Sequence, residues 1–154
     1  SSFGKEPVAD LNVRSSALNS CEVSPDDVPN LIDELPILFI ASSFADGISS
    51  FNEIEELKHK ESDRLSAMQE GLDKMKIKNF LDGDAFCIEG MGKDYKIPNF
   101  LAETFFDHRI AMSFAIAGLN SSSSIEISSP ESINTSFPEF VDLGKRLGCN
   151  FEIS

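Results

Sequence analysis

Residues 37–45 (ILFIASSFA) put apolar side chains around most of a helix's circumference, so that helix has no broad face to give to water and must be enclosed by other elements. Pro36 cannot sit inside a helix but suits a first turn, which sets the start at about residues 34–36. Asp46-Gly47 reads as a left-handed stop. Residues 110–119 (IAMSFAIAGL) repeat this character; Asp107 is placed to cap them and the serines of 121–124 end them. A strand-like segment follows each run, at 48–54 and at 125–128, and an amphipathic helix follows each strand. In the first copy Leu65, Met68, Leu72 and Met75 recur at helical steps within 61–75; the second copy is 140–147. Helix–strand–helix–strand thus occurs twice, displaced by roughly 75 residues, as an internal duplication would give. The expected class is α/β (α+β), with equivalent helix starts gathered at one end of the domain.

The connecting segments are plainer. Residues 8–13 alternate weakly and read as a strand, with 15–20 turning out of it. Residues 24–27 form a cap and turn leading through 28–33. The segments 76–81 and 85–89 read as a hairpin around Asp82-Gly83-Asp84, with 90–96 turn-like and a short strand in 95–106 despite Pro98. Ser136-Phe137-Pro138-Glu139 has the form of a capping box opening the last helix. Gly148 ends that helix and 149–153 is expected to be a final strand. Residues 1–7, bearing Gly and Pro, read as a loose leader on an excised piece that begins without Met. A chain of 154 residues supports one domain with a sizeable core.

A formal charge of −13 argues against non-specific binding to nucleic acid or to an anionic membrane. The scarce cations therefore matter most where they cluster, and Lys60-Glu61-Ser62-Asp63-Arg64 sets two of them at a helix start, where unpaired N–H groups favour an anion. Glu61 or Ser62 would be the natural cap. On the residues alone a solvated first turn explains this run better. Likewise Asp33 or Glu34 would simply cap the next helix, Arg109 would pair with its neighbour Asp107, and His108 would be a satisfied structural group. Cys21, Cys87 and Cys149 lack metal-site or redox spacing and read as buried, reduced thiols of an intracellular protein. No apolar run is long enough to span a bilayer, and no signal peptide opens the chain.

Five stretches in register change the balance: VADLNVRSSAL at 8–18, VPNLIDELPIL at 28–38, KESDRL at 60–65, DHRIAMSFA at 107–115 and NTSFPEF at 134–140. Together they resemble the 5-enolpyruvylshikimate-3-phosphate synthase family, over its C-terminal portion only. The resemblance implies repeated βαβαββ units of the enolpyruvyl transferase fold, an inside-out α/β barrel. Three units make a globular domain and two domains close over a cleft. This chain would be a partial domain, with one repeat at about 8–92 and a second at about 93–154, and with 8–13 as the tail strand of a preceding repeat.

The implied reaction moves the enolpyruvyl group of phosphoenolpyruvate to the 5-hydroxyl of shikimate 3-phosphate and releases phosphate. By resemblance Asp33 takes the hydroxyl proton and Glu61 relays a proton to and from the methylene carbon. Lys60 contacts both substrates and is a possible second acid–base group. Crowded by cations, it should titrate lower than usual. Arg64 and Arg109 hold the phosphoenolpyruvate carboxylate, for which planar forks are suited, and His108 is a possible donor to substrate. No metal or cofactor is required. The family's whole enzyme is expected to be a cytoplasmic monomer whose partners are these two small molecules, neither nucleic acid nor membrane. Lys58-His59 departs from the Arg-Val more usual before KESDR, and Thr135-Ser136 stand where some branches carry a lysine. Because the other domain's phosphate-binding residues have no positions here, the piece alone should not turn over. The alternatives are an enzyme like UDP-N-acetylglucosamine enolpyruvyl transferase and a non-catalytic acidic binding module.

Overall fold

A computed structural model of the chain describes residues 2–3 and 6–152. Strand β1 (Ser2–Phe3) pairs antiparallel with β2 (Glu6–Pro7). Residues 8–17 carry no ladder, so the strand expected at 8–13 is absent. Alternation alone does not make a strand; its side chains must pack on a pleated surface, and here Leu11 is 86% and Val13 90% exposed. The ladder starts later, within the segment expected to turn.

Strands β3 (Leu18–Asn19) and β4 (Glu22–Val23) both run parallel to β5 (Ala45–Phe51), Leu18 opposite Ala45 and Val23 opposite Phe51. Between them lie α1 (Val28–Leu31), a 3-10 turn at Ile32–Glu34, and α2 (Leu35–Ser43). Helix α2 is the apolar run read from the sequence, and Leu35, Phe39 and Ile40 are buried. The Phe39 ring meets Phe51 and Phe86 edge-on, at centroid distances of 4.7 and 5.1 Å, which seats α2 against the sheet. Gly47 does not stop this helix. Phe44 closes it, and Gly47 lies inside β5 at φ 100°, where an added Cβ would stand 2.7 Å from Ser20 Oγ.

Next come α3 (Arg64–Lys74), β6 (Asn79–Asp82) and β7 (Ala85–Met91). The hairpin turns at Gly83 as expected, and β7 pairs antiparallel with both β6 and β5. The second copy is shorter: β8 (Leu101–Ala102), α4 (His108–Gly118), β9 (Glu126–Ile127) parallel to β8, a 3-10 segment at Pro130–Thr135, and α5 (Phe140–Arg146). Two expectations fail in this copy. The capping box does not form, because the preceding 3-10 segment already engages the Ser136 and Phe137 amides through the Ile133 carbonyl, and Glu139 precedes α5 without a side-chain cap. Residues 149–152 form no strand, since Phe151 folds back to stack on Phe140 at 5.6 Å; Ile153 lies outside the described residues. Helices α2, α3 and α4 contribute Phe39, Met68, Leu72 and Phe114 to one continuous core. Among the described residues no helix is long and apolar enough to cross a membrane. Cys87 is buried and desolvation, then the nearby Asp82 charge, push its thiol up; Cys21, expected to be buried, is exposed.

The seating of α2 on the sheet depends on Gly90. A Cβ there would lie 2.1 Å from the Ala45 carbonyl oxygen and 2.6 Å from that of Ser42, and backbone cannot swing aside. Gly90→Ala is expected to cost about 3 kcal/mol, at the upper end of what overpacking does. Gly83→Ala has nothing within 4 Å of the new methyl and only its φ of 61° to resist it, so it should cost about 1 kcal/mol. Urea unfolding of the two variants side by side checks this, and equal losses would contradict it.

Candidate active site

Three helix starts converge where the duplication predicts, and a single guanidinium joins them. Arg64, the first residue of α3, is 1% exposed. Its Nε donates to Asp107 Oδ2 at 2.8 Å, its Nη1 to Asp33 Oδ1 at 3.0 Å, and its Nη2 to the Glu61 carboxylate. Asp107, fully buried, lies just before α4, and Asp33 lies in the 3-10 turn that runs into α2. Lys60 Nζ sits between the Glu56 carboxylate and Asp33 Oδ1, the latter at 3.5 Å. Arg109, in the first turn of α4, reaches across to donate to the Asp33 carbonyl at 2.7 Å and to Glu34 Oε1 at 2.6 Å. Asp33, Lys60, Glu61, Arg64 and Arg109 are therefore in one hydrogen-bonded group. His108, half-buried as the first residue of α4, adjoins it in sequence, whereas His59 is exposed at the end of a 3-10 turn, Glu55–His59.

The local details differ from the sequence reading for identifiable reasons. Glu61 and Ser62 do not cap α3 because both side chains are already engaged, Glu61 by Arg64 and Ser62 by Asp107 Oδ2 at 3.1 Å. Asp63 caps instead, accepting from the Ser66 amide at 3.0 Å. Neither Asp33 nor Glu34 caps α2; their carboxylates serve Arg64 and Arg109. Arg109 meets Asp107 only through its backbone N–H, at 2.9 Å, not as an ion pair. Thr135-Ser136 precede Phe137, which with Phe140, Ile37 and Met112 walls a cleft of about 230 Å³ opening beside Asp33 and Arg109.

Charges set the protonation states. Desolvation pushes the Asp33 carboxyl up, but Lys60, Arg109 and Arg64 together outweigh it and hold Asp33 below the usual carboxylate range. The Lys60 ammonium is raised, not lowered as crowding by cations would have it, because its hydrogen bond to the Glu56 carboxylate exceeds the desolvation cost and Asp33 adds to it. Burial works to lower the Arg64 guanidinium, yet Asp107, then Glu61 and Asp33, raise it overall, so it remains a permanent cation.

The contacts of Asp107, Ser62 and Glu56 within this group are ones that the sequence did not reveal. A cap uses one carboxylate oxygen, and nothing in the spacing shows what the other oxygen of Asp107 meets. A chain turn involving two non-glycine residues with left-handed φ, Phe105 at 52° and Phe106 at 59°, delivers Asp107 to this position. Thr104 anchors that turn, donating from its amide to Ser128 Oγ at 2.9 Å and from its hydroxyl to the Ser128 carbonyl at 2.8 Å.

Duplicated βαβα units whose charged helix starts meet at one rim place this protein in the enolpyruvyl transferase fold class. The family model for EPSP synthase (3-phosphoshikimate 1-carboxyvinyltransferase) matches residues 2–143, and the chain belongs to that family. Among relatives named 3-phosphoshikimate 1-carboxyvinyltransferase, that of Zymomonas mobilis is 45% identical over 97% of this chain and 34% of its own length. That of Aquifex aeolicus is 45% identical over 90% of this chain and 32% of its own. A solved EPSP synthase from Acinetobacter baumannii superposes with a TM-score of 0.84 at 42% identity, covering 90% of this chain and 32% of that one. The chain thus spans about a third of the length of the relatives it matches.

Proposed function

We propose that this chain supplies the acid–base groups and the carboxylate-binding cations of a 3-phosphoshikimate 1-carboxyvinyltransferase. Residues 8–92 and 93–154 act as successive repeats of one domain. The 5-hydroxyl oxygen of shikimate 3-phosphate bonds to C2 of phosphoenolpyruvate while Asp33 takes the hydroxyl proton and Glu61 gives one to the methylene carbon. In the second half Glu61 takes that proton back as the bond from C2 to the phosphate oxygen breaks, and phosphate leaves with the hydroxyl proton that Asp33 had taken. Arg64 and Arg109 hold the carboxylate with their planar forks, Lys60 touches both substrates, and His108 donates to one of them. No step needs a metal or cofactor. The complete enzyme works as a cytoplasmic monomer on two small anions, with no role for nucleic acid or membrane.

The observation that carries this reading is the sharing of the Arg64 fork by Asp33 and Glu61. It puts two carboxylates on the two tips of one guanidinium, which supports assigning the two proton transfers to a pair of groups held beside one cation. The test joins residues 8–152 to the two thirds of the Zymomonas mobilis relative that this chain does not match, then measures phosphate release with both substrates. The chimera is expected to turn over, and the 154-residue chain alone to release no phosphate above background. A folded, inactive chimera would sink the reading.

A further inference from the structure

We propose that Asp107 is a positioning residue that sets the geometry of both arginines through one buried carboxylate. This rests on the reading that Arg64 and Arg109 hold the substrate carboxylate. A capping role for Asp107 would need Oδ1 alone, which accepts from the Arg109 amide and so fixes the first turn of α4. Oδ2 does something a cap does not: it accepts from Arg64 Nε at 2.8 Å and from Ser62 Oγ at 3.1 Å. Nε is the root of the guanidinium, so binding it orients the plane of the fork. The two tips are then left to Asp33 and Glu61, whose side chains are 48% and 55% exposed.

The division matters because only the tips face partners that a ligand could displace; the root is tied to an anion that water does not reach. Asp107 is itself held firmly. Its amide donates to the Thr104 carbonyl at 2.9 Å, and Thr104 is bonded twice to Ser128 beyond β9. Through Ser62 the same carboxylate also registers the loop that carries Lys60 and Glu61. One buried group therefore aligns residues from both repeats, as outer-shell carboxylates align the ligands of other sites.

Asp107→Asn separates positioning from capping. Asparagine caps a helix about as well as aspartate, but its amide nitrogen would face Arg64 Nε, donor against donor. In the chimera the variant is expected to raise KM for phosphoenolpyruvate about 30-fold, the scale of outer-shell losses. KM for shikimate 3-phosphate should stay within about threefold, and in an Arg64→Gln background Asp107→Asn should add no more than about threefold. Ser62→Ala, which disturbs less, should raise the same KM about fivefold, and it decides the matter if Asp107→Asn does not fold. Exchange of the Arg64 Nε–H with solvent, followed by NMR, reads the contact without turnover; Asp107→Asn should speed it at least about tenfold. A wild-type KM, losses that multiply with those of Arg64→Gln, or unchanged Nε–H exchange would each overturn the proposal. An inactive wild-type chimera would count against the functional reading only, leaving Nε–H exchange to decide this one.

Discussion

Glu61→Gln in the chimera is expected to lower kcat about 10³-fold with little change in stability, because on the proposed role the substitution removes a transferable proton and almost nothing else. The glutamine carbonyl can still accept from Arg64 Nη2, and the side chain stands 55% exposed, so no buried group is orphaned. Asp33→Asn should do comparable damage by a different route. Asp33 is held ionised by Lys60, Arg109 and Arg64, which keeps it ready to receive a proton. The two variants differ in one readout. Glu61→Gln should abolish deuterium exchange from solvent into the methylene group of phosphoenolpyruvate, whereas Asp33→Asn should block bond formation to the hydroxyl. A Glu61→Gln enzyme within about tenfold of wild-type kcat would remove Glu61 from the proton path.

How much of this was legible in the sequence follows from which interactions are local. The helices were readable because apolar periodicity and Pro36 act within a few residues, and α2 and α4 fall where the two apolar runs put them. The β6–β7 hairpin was readable because its turn, Gly83-Asp84, is two residues long. Strands β3 and β4 were not, because two residues each carry no pattern and their pairing is decided by β5, more than twenty residues away. The cysteines show the same limit, since burial of Cys87 and exposure of Cys21 depend on the sheet rather than on spacing. At the site, the gathering of helix starts could be inferred from the duplication. The partner of each charge could not. Arg109 adjoins Asp107 in sequence yet turns its guanidinium to Glu34, 75 positions away, and Glu61 abandons the cap for Arg64. Local rules assign a charged side chain to its neighbour, whereas in the fold Arg109 finds Glu34 and Arg64 finds Asp107 across more than forty positions of chain.

Arg64 is also the residue whose loss should most disturb folding. Arg64→Ala leaves Asp107 fully buried with Ser62 and the Arg109 amide as donors but no counter-cation, and a buried charge stripped of its partner typically costs about 3–5 kcal/mol. Against a usual total of about 5–15 kcal/mol this is a large fraction. Much of any activity lost in Arg64→Ala would then reflect unfolded protein. The remedy follows from the cause: the cost lies in the orphaned carboxylate, not in missing attraction. Arg64→Met keeps an unbranched stem in the α3 position, and Asp107→Asn removes the charge while its side-chain oxygen still accepts from the Arg109 amide. Together they should recover about 2 kcal/mol relative to Arg64→Met alone, a coupling of the size neighbouring groups show. Urea unfolding of the two single variants and the double variant measures it. If the double variant is as unstable as the sum of the two singles, the ion pair is not what holds the three helix starts together.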